Sequence, residues 1–247
     1  RGISFVEAVE TLMGKSAVMS VLTVRPKQEE KPKVLLLPEK SKTTDRIREY
    51  LFSRGIDGAI TDECIKKGVI FESLPYHNIV FVGFDEKQKT KYAAFRATNS
   101  RRILGDCSGS DKHYSFRLAD SESKEVHLFE CAIDLLSYAT LAKLSGRDWH
   151  KENLVSLAGV YLPKEKIEES TTPAAVVKYL DGRPDIEKIH IHFDNDNAGR
   201  KATEALKAIL PKKYEIFDEP PKKGKDYNDY LCKQLGIYKS KERSYER

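Results

Sequence analysis

Apolar and polar residues follow two regular patterns in the second half of the chain, and each pattern leads to acidic residues. Residues 126–138 begin with a short apolar run, which predicts a strand, and continue with apolar positions at helical spacing after Glu130. Residues 190–202 begin with an alternating run that ends at Asp194 and Asp196, and the glycine that follows opens a second helical pattern. Both segments therefore predict a β-strand that delivers acidic residues to the start of a helix.

A third acidic segment, residues 222–231, is a basic, glycine-containing loop that places Asp226 and Asp229 at the start of a last short helix. The gaps between the three segments are long enough for βα units, whose strands form a parallel sheet. Because the carboxyl ends of parallel strands meet at one edge of the sheet, we expect the acidic segments to converge there. The pattern predicts an α/β fold for this half of the chain.

Asp194 and Asp196 are two positions apart, which is the spacing of side chains that project in one direction from an extended backbone. Two carboxylates in this arrangement can share a hard cation such as Mg²⁺. Aspartate and asparagine also form turns and cap helices, so an ordinary loop is the alternative interpretation of this pair taken alone. The two other acidic segments favour the metal site.

The first half of the chain has a different pattern, in which short β-branched and aromatic runs are separated by turns and predict an antiparallel sheet. Two helices precede these runs, and Thr61 or Asp62 is the expected cap of the second helix. We expect a domain boundary at residues 118–124. The predicted elements are helices over residues 44–53 and 61–67 and strands over residues 68–74, 78–84 and 92–97.

Basic residues are concentrated around a glycine- and serine-rich loop at the end of the first half. Arginine binds phosphate through two parallel hydrogen bonds, and glycine lets the backbone approach closely, so this segment predicts contacts to a polyanion. The alternative is a solvated hairpin tip. The residues that we expect to contact nucleic acid here are Arg96, Arg101, Arg102 and Lys112.

Composition and cysteine usage narrow the class of protein. The 247 residues are 40% apolar and 33% charged, which is globular composition, and the net charge of +5 is mild for a nucleic-acid-binding protein. The four cysteines form no CxxC pair, which argues against a disulfide framework and against a zinc site within the chain. No apolar run is long enough to cross a bilayer, so we expect a cytoplasmic protein without a membrane partner.

The acidic segments together resemble the Toprim domain shared by bacterial primases, topoisomerases and some nucleases. FECAIDLLSY resembles the glutamate motif of the DnaG type of primase, FDNDNAGRKA resembles the DxD motif, and KGKDYNDYL resembles the closing loop. The three motifs occur in the order and spacing of the family over residues 126–238. The resemblance implies a Toprim Rossmann-like domain with a central parallel sheet.

The first half resembles the small α+β domain that precedes Toprim in primase-like proteins of mobile elements such as bacterial plasmids. The motifs that carry this resemblance are LP…YLxxRGI, FVGFD and GSDKxYSF. Residues 1–14 resemble the helix that follows the zinc-binding module of primases, which implies zinc ligands upstream, although a plain amphipathic helix has the same pattern. The expected organisation is a helix and linker (residues 1–32), a basic strand-rich lobe (residues 33–120) and a Toprim domain (residues 121–240).

The resemblance implies a role for each acidic residue. Asp194 and Asp196 hold Mg²⁺ or Mn²⁺ directly or through water, Glu130 is a general acid/base or a further ligand, and Asp226 completes a second metal position. Supporting roles, in orienting or capping neighbouring groups and in binding phosphate, are implied for Asp134, Asp229, Arg200 and Lys225.

These roles predict a DNA primase-like, metal-dependent nucleotidyltransferase that makes short primers on single-stranded DNA from nucleoside triphosphates, with a helicase or other replication protein as a further partner. Two alternatives use the same residues. A metal-dependent nuclease would activate water with the same carboxylates, and an accessory module would bind nucleic acid without catalysis. His190 and His192, which alternate in the strand before Asp194, are interpreted as packing or hydrogen-bonding residues.

Overall fold

The computed structural model describes residues 34–159 and 161–237. The helix and linker expected over residues 1–32, and their resemblance to a primase segment, lie outside these ranges. Within these ranges, no helix is both long enough and apolar enough to cross a membrane.

Six α-helices and nine β-strands occur within the described ranges. The helices are α1 (Asp45–Ser53), α2 (Gly58–Lys66), α3 (Ala132–Leu144), α4 (Ala174–Gly182), α5 (Asn197–Ile209) and α6 (Tyr227–Gln234). The strands are β1 (Ile70–Glu72), β2 (Ile79–Phe84), β3 (Thr90–Arg96), β4 (Leu104–Asp106), β5 (Arg117–Leu118), β6 (Glu125–Phe129), β7 (Asn153–Ser156), β8 (Lys188–Ile191) and β9 (Glu215–Asp218).

The first sheet contains β1 to β4 in chain order, and all neighbouring strands are antiparallel. Its strands are rich in β-branched and aromatic residues, which fit a pleated, half-buried surface. A Cβ atom at Gly83 in β2 would lie 1.5 Å from the carbonyl oxygen of Tyr114. Glycine at this position therefore lets the segment that leads to the second sheet pack directly against β2.

The second sheet has the strand order β5-β7-β6-β8-β9. The strands β7, β6, β8 and β9 are parallel, and β5 pairs with β7 in the antiparallel direction. Parallel neighbours need a crossover connection, which α3 provides after β6 and α5 provides after β8. This sheet, together with the antiparallel sheet of the first half, confirms the predicted fold class.

Separate hydrophobic clusters cover the two faces of the second sheet. One cluster packs Ile189 of β8 against Val176 of α4 and Leu206 of α5. The other cluster contains Phe129 of β6 together with residues of α3 and α6, and it also includes Ile47 of α1. Because α1 belongs to the first half of the chain, the cluster that contains Phe129 joins the first half to the helices α3 and α6.

Helix α2 begins at Gly58, three residues before the predicted start. Asp57 caps this helix, because its Oδ1 atom accepts hydrogen bonds from two backbone amides of the first turn at 2.9 and 3.2 Å. The hydroxyl of Thr61 donates instead to the carbonyl of Asp57 at 3.1 Å, inside the helix. The predicted cap at Thr61 or Asp62 is therefore wrong, because Asp57, four residues before Thr61, is the cap.

Candidate functional site

Glu130, Asp194 and Asp196 lie at the carboxyl edge of the second sheet. Glu130 directly follows β6, and Asp194 follows the end of β8, which is the parallel neighbour of β6. The backbone amide of Asp194 donates a hydrogen bond to the Oε1 atom of Glu130 at 3.1 Å. Two acidic segments that are distant in the sequence are thus in direct contact.

The loop that carries Asp194 and Asp196 is fixed by the start of α5. Asp196 is the N-cap of this helix, and its Oδ1 atom accepts a hydrogen bond from the amide of Gly199 at 2.9 Å. A Cβ atom at Gly199 would lie 2.1 Å from the carbonyl oxygen of Asp194. The close turn of this loop therefore requires glycine at position 199.

Lys225 brings the third acidic segment to the same edge. Its backbone carbonyl accepts a hydrogen bond from the amide of Asn195 at 2.6 Å. Its Nζ atom lies 3.5 Å from Oδ2 of Asp194 and 3.1 Å from Oδ2 of Asp196. The ammonium group therefore lies against both carboxylates that the DxD pattern assigns to a cation.

Asp226 and Asp134 link the last helix to the rest of the site. Asp226 is the N-cap of α6 and accepts a hydrogen bond from the amide of Asp229 at 2.6 Å. Asp134, in the first turn of α3, accepts hydrogen bonds from the amide of Asn228 at 3.2 Å and from the thiol of Cys131 at 2.8 Å. Asp226 therefore caps α6, whereas Asp134 joins the start of α6 to α3.

Burial and mutual repulsion raise the pKa values of the carboxylates at this edge. Burial, followed by the charge of Asp194, raises the pKa of Glu130 to about 7. Burial and the charge of Asp226 raise the pKa of Asp194 to about 6 and that of Asp134 to about 7. The backbone hydrogen bond at the start of α5 lowers the pKa of Asp196. The positive charge near this edge therefore does not balance the negative charge of its carboxylates near neutral pH.

This donor set fits a divalent cation. Carboxylate oxygens are the ligands that Mg²⁺ and Mn²⁺ prefer, and a nearby cation favours the ionised form of acids whose pKa is raised. Asp194 and Asp196 would hold such an ion, with Glu130 beside them. Asp226 is near enough to raise the pKa of Asp194, which makes it the candidate for a second position. The Lys225 ammonium already contacts both aspartates of the loop. The oxygens of these two aspartates are therefore placed to bind one positive charge together.

The predicted phosphate-binding arginines lie in two different environments. The Arg200 guanidinium is held at the loop after β8, where it donates to Oδ1 of Asp218 at 2.7 Å and to the carbonyl of Asp194 at 3.2 Å. Arg101 and Arg102, in the segment between β3 and β4, are exposed. Arg200 thus braces the acidic loop, whereas Arg101 and Arg102 are accessible to a polyanion.

A cleft between the two sheets opens beside the acidic edge. Its lining includes Arg96 from the first sheet and, from the second half, Ala158 and Cys131, which is the residue after Glu130. Lys112 borders the same cleft, because its Nζ atom donates to the carbonyl of Ala158 at 3.1 Å. The cleft therefore has basic residues at its border, and its lining reaches the residue next to Glu130.

His190 and His192 belong to a cluster of histidines on one face of the second sheet, together with His127, which the sequence patterns did not single out. His127 of β6 lies with its Nδ1 atom 2.8 Å from Nε2 of His192, and its ring stacks on that of His190 at a centroid distance of 4.4 Å. The sequence pattern that could have predicted this cluster is the placement of histidine in the segments VHLF and HIHF. Alternate residues of a strand lie on the same face of the sheet, so histidines of two paired strands can meet there.

Comparison with known proteins identifies the second half of the chain. The family model described as Toprim-like matches residues 127–231, and a second model, described as a protein of unknown function, matches residues 49–123. The chain therefore carries a Toprim-like domain, which confirms the resemblance predicted from the acidic motifs.

The uncharacterized protein pXO2-78 of Bacillus anthracis is 29% identical over 212 residues, which are 77% of this chain and 58% of that protein. The chain thus spans little more than half the length of this curated relative.

Solved structures of bacterial primases have the same fold. The zinc-binding and RNA polymerase domains of the Aquifex aeolicus primase match with a TM-score of 0.50 and 17% identity, over 79% of this chain and 54% of that chain. The E. coli primase catalytic core has a TM-score of 0.50 and 12% identity, over 78% and 70% of the two chains. The RNA polymerase domain of the Mycobacterium tuberculosis primase has a TM-score of 0.50 and 14% identity, over 80% and 74%.

Proposed function

We propose that the chain is a primase-like nucleotidyltransferase that uses Mg²⁺ or Mn²⁺ to make short primers on single-stranded DNA. One observation carries the proposal. Glu130, Asp194 and Asp196 come from segments distant in the sequence and meet at one edge of a parallel sheet, where Lys225 contacts both aspartates. The Toprim-like domain and the primase-core fold support the same reaction class.

The reaction joins a 3′-hydroxyl group to a nucleoside triphosphate. The hydroxyl oxygen forms a bond to the α-phosphorus, the bond from that phosphorus to the bridging oxygen breaks, and pyrophosphate leaves with the electron pair. A divalent ion held by Asp194 and Asp196 would neutralise charge on the phosphates. Glu130 is held beside the proposed ion, which favours its ionised form, and the carboxylate is suited to take the hydroxyl proton.

Lys225 is the proposed ligand of the triphosphate. Its ammonium group pairs with Asp194 and Asp196, and a divalent cation at those aspartates would repel it. The released ammonium group can then pair with a phosphate oxygen, for which a lysine is a common partner. Lys225 would thus exchange a carboxylate partner for a phosphate partner when metal and nucleotide bind together.

The template strand is expected to lie along the basic residues of the first half. Arg101 and Arg102 are exposed, and Arg96 and Lys112 border the cleft beside the acidic edge. Such groups contact the phosphates of single-stranded DNA with little sequence preference. The DnaG primase catalytic domain, which matches this fold with a TM-score of 0.50, has been solved bound to single-stranded DNA.

Partners of the whole protein belong to the same proposal, because the chain covers 58% of its curated relative. A primer-making protein works beside a helicase or another replication protein, so either is a proposed partner. A cytoplasmic location and an origin on a mobile element are proposed with it.

A template-directed labelling assay tests the proposal. The full chain is incubated with single-stranded DNA, labelled ribonucleoside or deoxyribonucleoside triphosphates, and Mg²⁺ or Mn²⁺, and the products are separated by length. We expect labelled oligonucleotides and pyrophosphate with the unaltered chain, and neither with Glu130→Gln or Asp194→Asn. Shortening of the DNA with metal alone would replace the proposal by a nuclease, and DNA binding without turnover would replace it by an accessory module.

Asp85→Asn is the matched control for Asp194→Asn. The side chains of Asp85 and Asp194 are similarly buried, at 12% and 17% exposure. The Oδ1 atom of Asp85 accepts hydrogen bonds from the amides of Lys87 and Lys89 in a hairpin of the first sheet, and an asparagine can accept both. This variant should therefore keep the activity of the unaltered chain.

A further inference from the structure

Three histidines, in β6, in β8 and directly after β8, share one face of the second sheet. His127 and His190 are register partners in the parallel pair, and their rings stack at 4.4 Å with an interplanar angle of 12°. The ring of His192 lies 5.1 Å from that of His127 and stacks on Phe129 at 4.8 Å. Phe217 stacks on His190 from the side of β9 at 4.7 Å. The imidazoles are thus held in a layer of aromatic rings between the sheet and the helices.

Each ring nitrogen of His190 faces a carboxylate oxygen at a distance longer than that of a strong hydrogen bond. The Nε2 atom lies 3.3 Å from Oε2 of Glu125, and the Nδ1 atom lies 3.3 Å from Oε2 of Glu219. Both nitrogens are nevertheless buried and have no hydrogen-bond partner among the described residues. Buried ring nitrogens are ordinarily satisfied, and a cation bound between His190 and Glu125 would satisfy one of them.

We propose that Glu125, His127 and His190 form a second metal site, separate from the carboxylates at the sheet edge, for a transition-metal dication of the zinc type. One ligand atom from each of the three residues lies within 4.8 Å of the others. Zinc bonds to imidazole and carboxylate are about 2.0–2.1 Å long, which gives a tetrahedron edge of about 3.3 Å. The separation between Nε2 of His190 and Oε2 of Glu125 has this length.

The residue types of the cluster suit a transition-metal dication. Two imidazoles with one carboxylate form a donor set that zinc accepts and that Mg²⁺ does not favour. The proposed ion therefore differs in kind from the one expected at the sheet edge.

Neighbouring groups orient the proposed ligands. The Oε1 atom of Glu125 is bound by the Nζ atom of Lys188 at 2.8 Å, which leaves Oε2 on the side of His190. The Oε2 atom of Glu219 lies next to Nδ1 of His190. A carboxylate at this second nitrogen orients a metal-bound histidine. The His190 side chain is 12% exposed and that of Glu125 is 37% exposed, so Glu125 connects the proposed site to solvent.

The proposed ion would connect the two central strands of the sheet. Glu125 and His127 belong to β6, which leads to Glu130, and His190 belongs to β8, which leads to Asp194. The four cysteines form no CxxC pair, and the proposed ligands are histidines and a glutamate instead. Because the rings of His127 and His190 are stacked, binding must turn one imidazole out of the stack, which provides an additional signal in NMR spectra.

Titration with Co²⁺ tests the proposed site. Tetrahedral Co²⁺ with imidazole ligands absorbs visible light much more strongly than Co²⁺ in an octahedral oxygen site. In the full chain carrying Asp194→Asn, which weakens the acidic site, we expect one strongly absorbing Co²⁺ that Zn²⁺ displaces. His190→Gln and Glu125→Gln should each weaken binding by more than about 100-fold, and Glu219→Gln by about 10- to 100-fold.

His150→Gln is the matched control. The ring of His150 also lies between two carboxylates, with Nδ1 2.8 Å from Asp148 and Nε2 3.0 Å from Glu63, but it belongs to no metal-sized group within the described residues. This variant should leave the Co²⁺ spectrum unchanged. Glu125→Gln keeps the test decisive if the His190 variant unfolds. Weak absorption in the parent chain, or strong absorption that persists in either folded ligand variant, would overturn the assignment.

Discussion

The Oε1 atom of Glu130 accepts a hydrogen bond of 3.1 Å from the backbone amide of Asp194. This contact joins the carboxyl ends of two neighbouring parallel strands, β6 and β8. The hydrogen bond lowers the pKa of Glu130, but burial and the charge of Asp194 outweigh it and raise the value to about 7. In the absence of a bound cation, the pKa of this fixed carboxyl group therefore lies near neutral pH.

Glu130→Gln should remove turnover without removing the loop geometry. The glutamine oxygen can still accept the amide of Asp194, so folding is retained, whereas the group that takes up a proton is lost. We expect turnover to fall by about 10²- to 10⁴-fold. Steady-state kinetics and thermal unfolding of the same preparations measure both effects, and full turnover with the glutamine would exclude Glu130 from the chemistry.

The metal-free protein should lose stability as the pH rises. Glu130 and Asp194 have pKa values of about 7 and about 6, which are raised above their unfolded values of about 4. Such groups contribute stability that is fully present below the unfolded pKa and is lost as the pH rises through the folded pKa. A bound cation offsets this loss. The increase in melting temperature caused by Mg²⁺ should therefore be larger at about pH 8 than at about pH 5.5.

Two variants show whether the acidic edge causes this pH dependence. Asp194→Asn should reduce the Mg²⁺-induced increase at about pH 8, and Asp85→Asn, in a hairpin of the first sheet, should retain it. An equal increase at both pH values in the unaltered chain would mean that the ion binds elsewhere.

Gly199→Ala should destabilise the chain and weaken metal binding together. The new Cβ atom would lie 2.1 Å from the carbonyl oxygen of Asp194, so the loop must move. We expect a loss of about 1–3 kcal/mol in the free energy of unfolding, measured with urea, and weaker Mn²⁺ binding. Gly58→Ala is the control, because its Cβ atom would have nothing within 4 Å. Comparable losses in the two variants would contradict this explanation.

Replacing both Arg101 and Arg102 with alanine should weaken binding to single-stranded DNA and reduce its salt dependence. Each lost phosphate contact reduces the slope of log K against log salt by about 0.7, so two contacts give a reduction of about 1.4. Fluorescence anisotropy at several salt concentrations measures this slope. Arg46→Ala, at an exposed arginine of α1, should change neither quantity, and an unaltered slope in the double variant would move the binding surface elsewhere.

The order of elements around the acidic motifs could be predicted from the sequence, because strand alternation and helix caps are local properties. The alternating run before Asp194 is β8 and the loop after it, and the acidic segment at Asp226 begins α6 as expected. The start of α2 could not be located in this way, since Asp57 is equally suited to a turn and to an N-cap.

Contacts between distant segments could not be predicted from local patterns. The position of Lys225 against Asp194 and Asp196 depends on how α6 packs against α3, which the spacing of residues does not encode. The proximity of His127 to His190 depends on the register of β6 and β8, and strand pairing is set by the whole sheet. The acidic residues of the site could therefore be predicted from sequence patterns. The residues that contact them are determined by tertiary packing.

Anomalous diffraction from crystals grown with Mn²⁺ tests most directly whether the acidic edge holds a divalent cation. The account predicts a manganese peak at the carboxylates of Asp194 and Asp196, with the Lys225 ammonium displaced from both. A peak that is absent there, with Lys225 still paired to the two aspartates at saturating Mn²⁺, would contradict it.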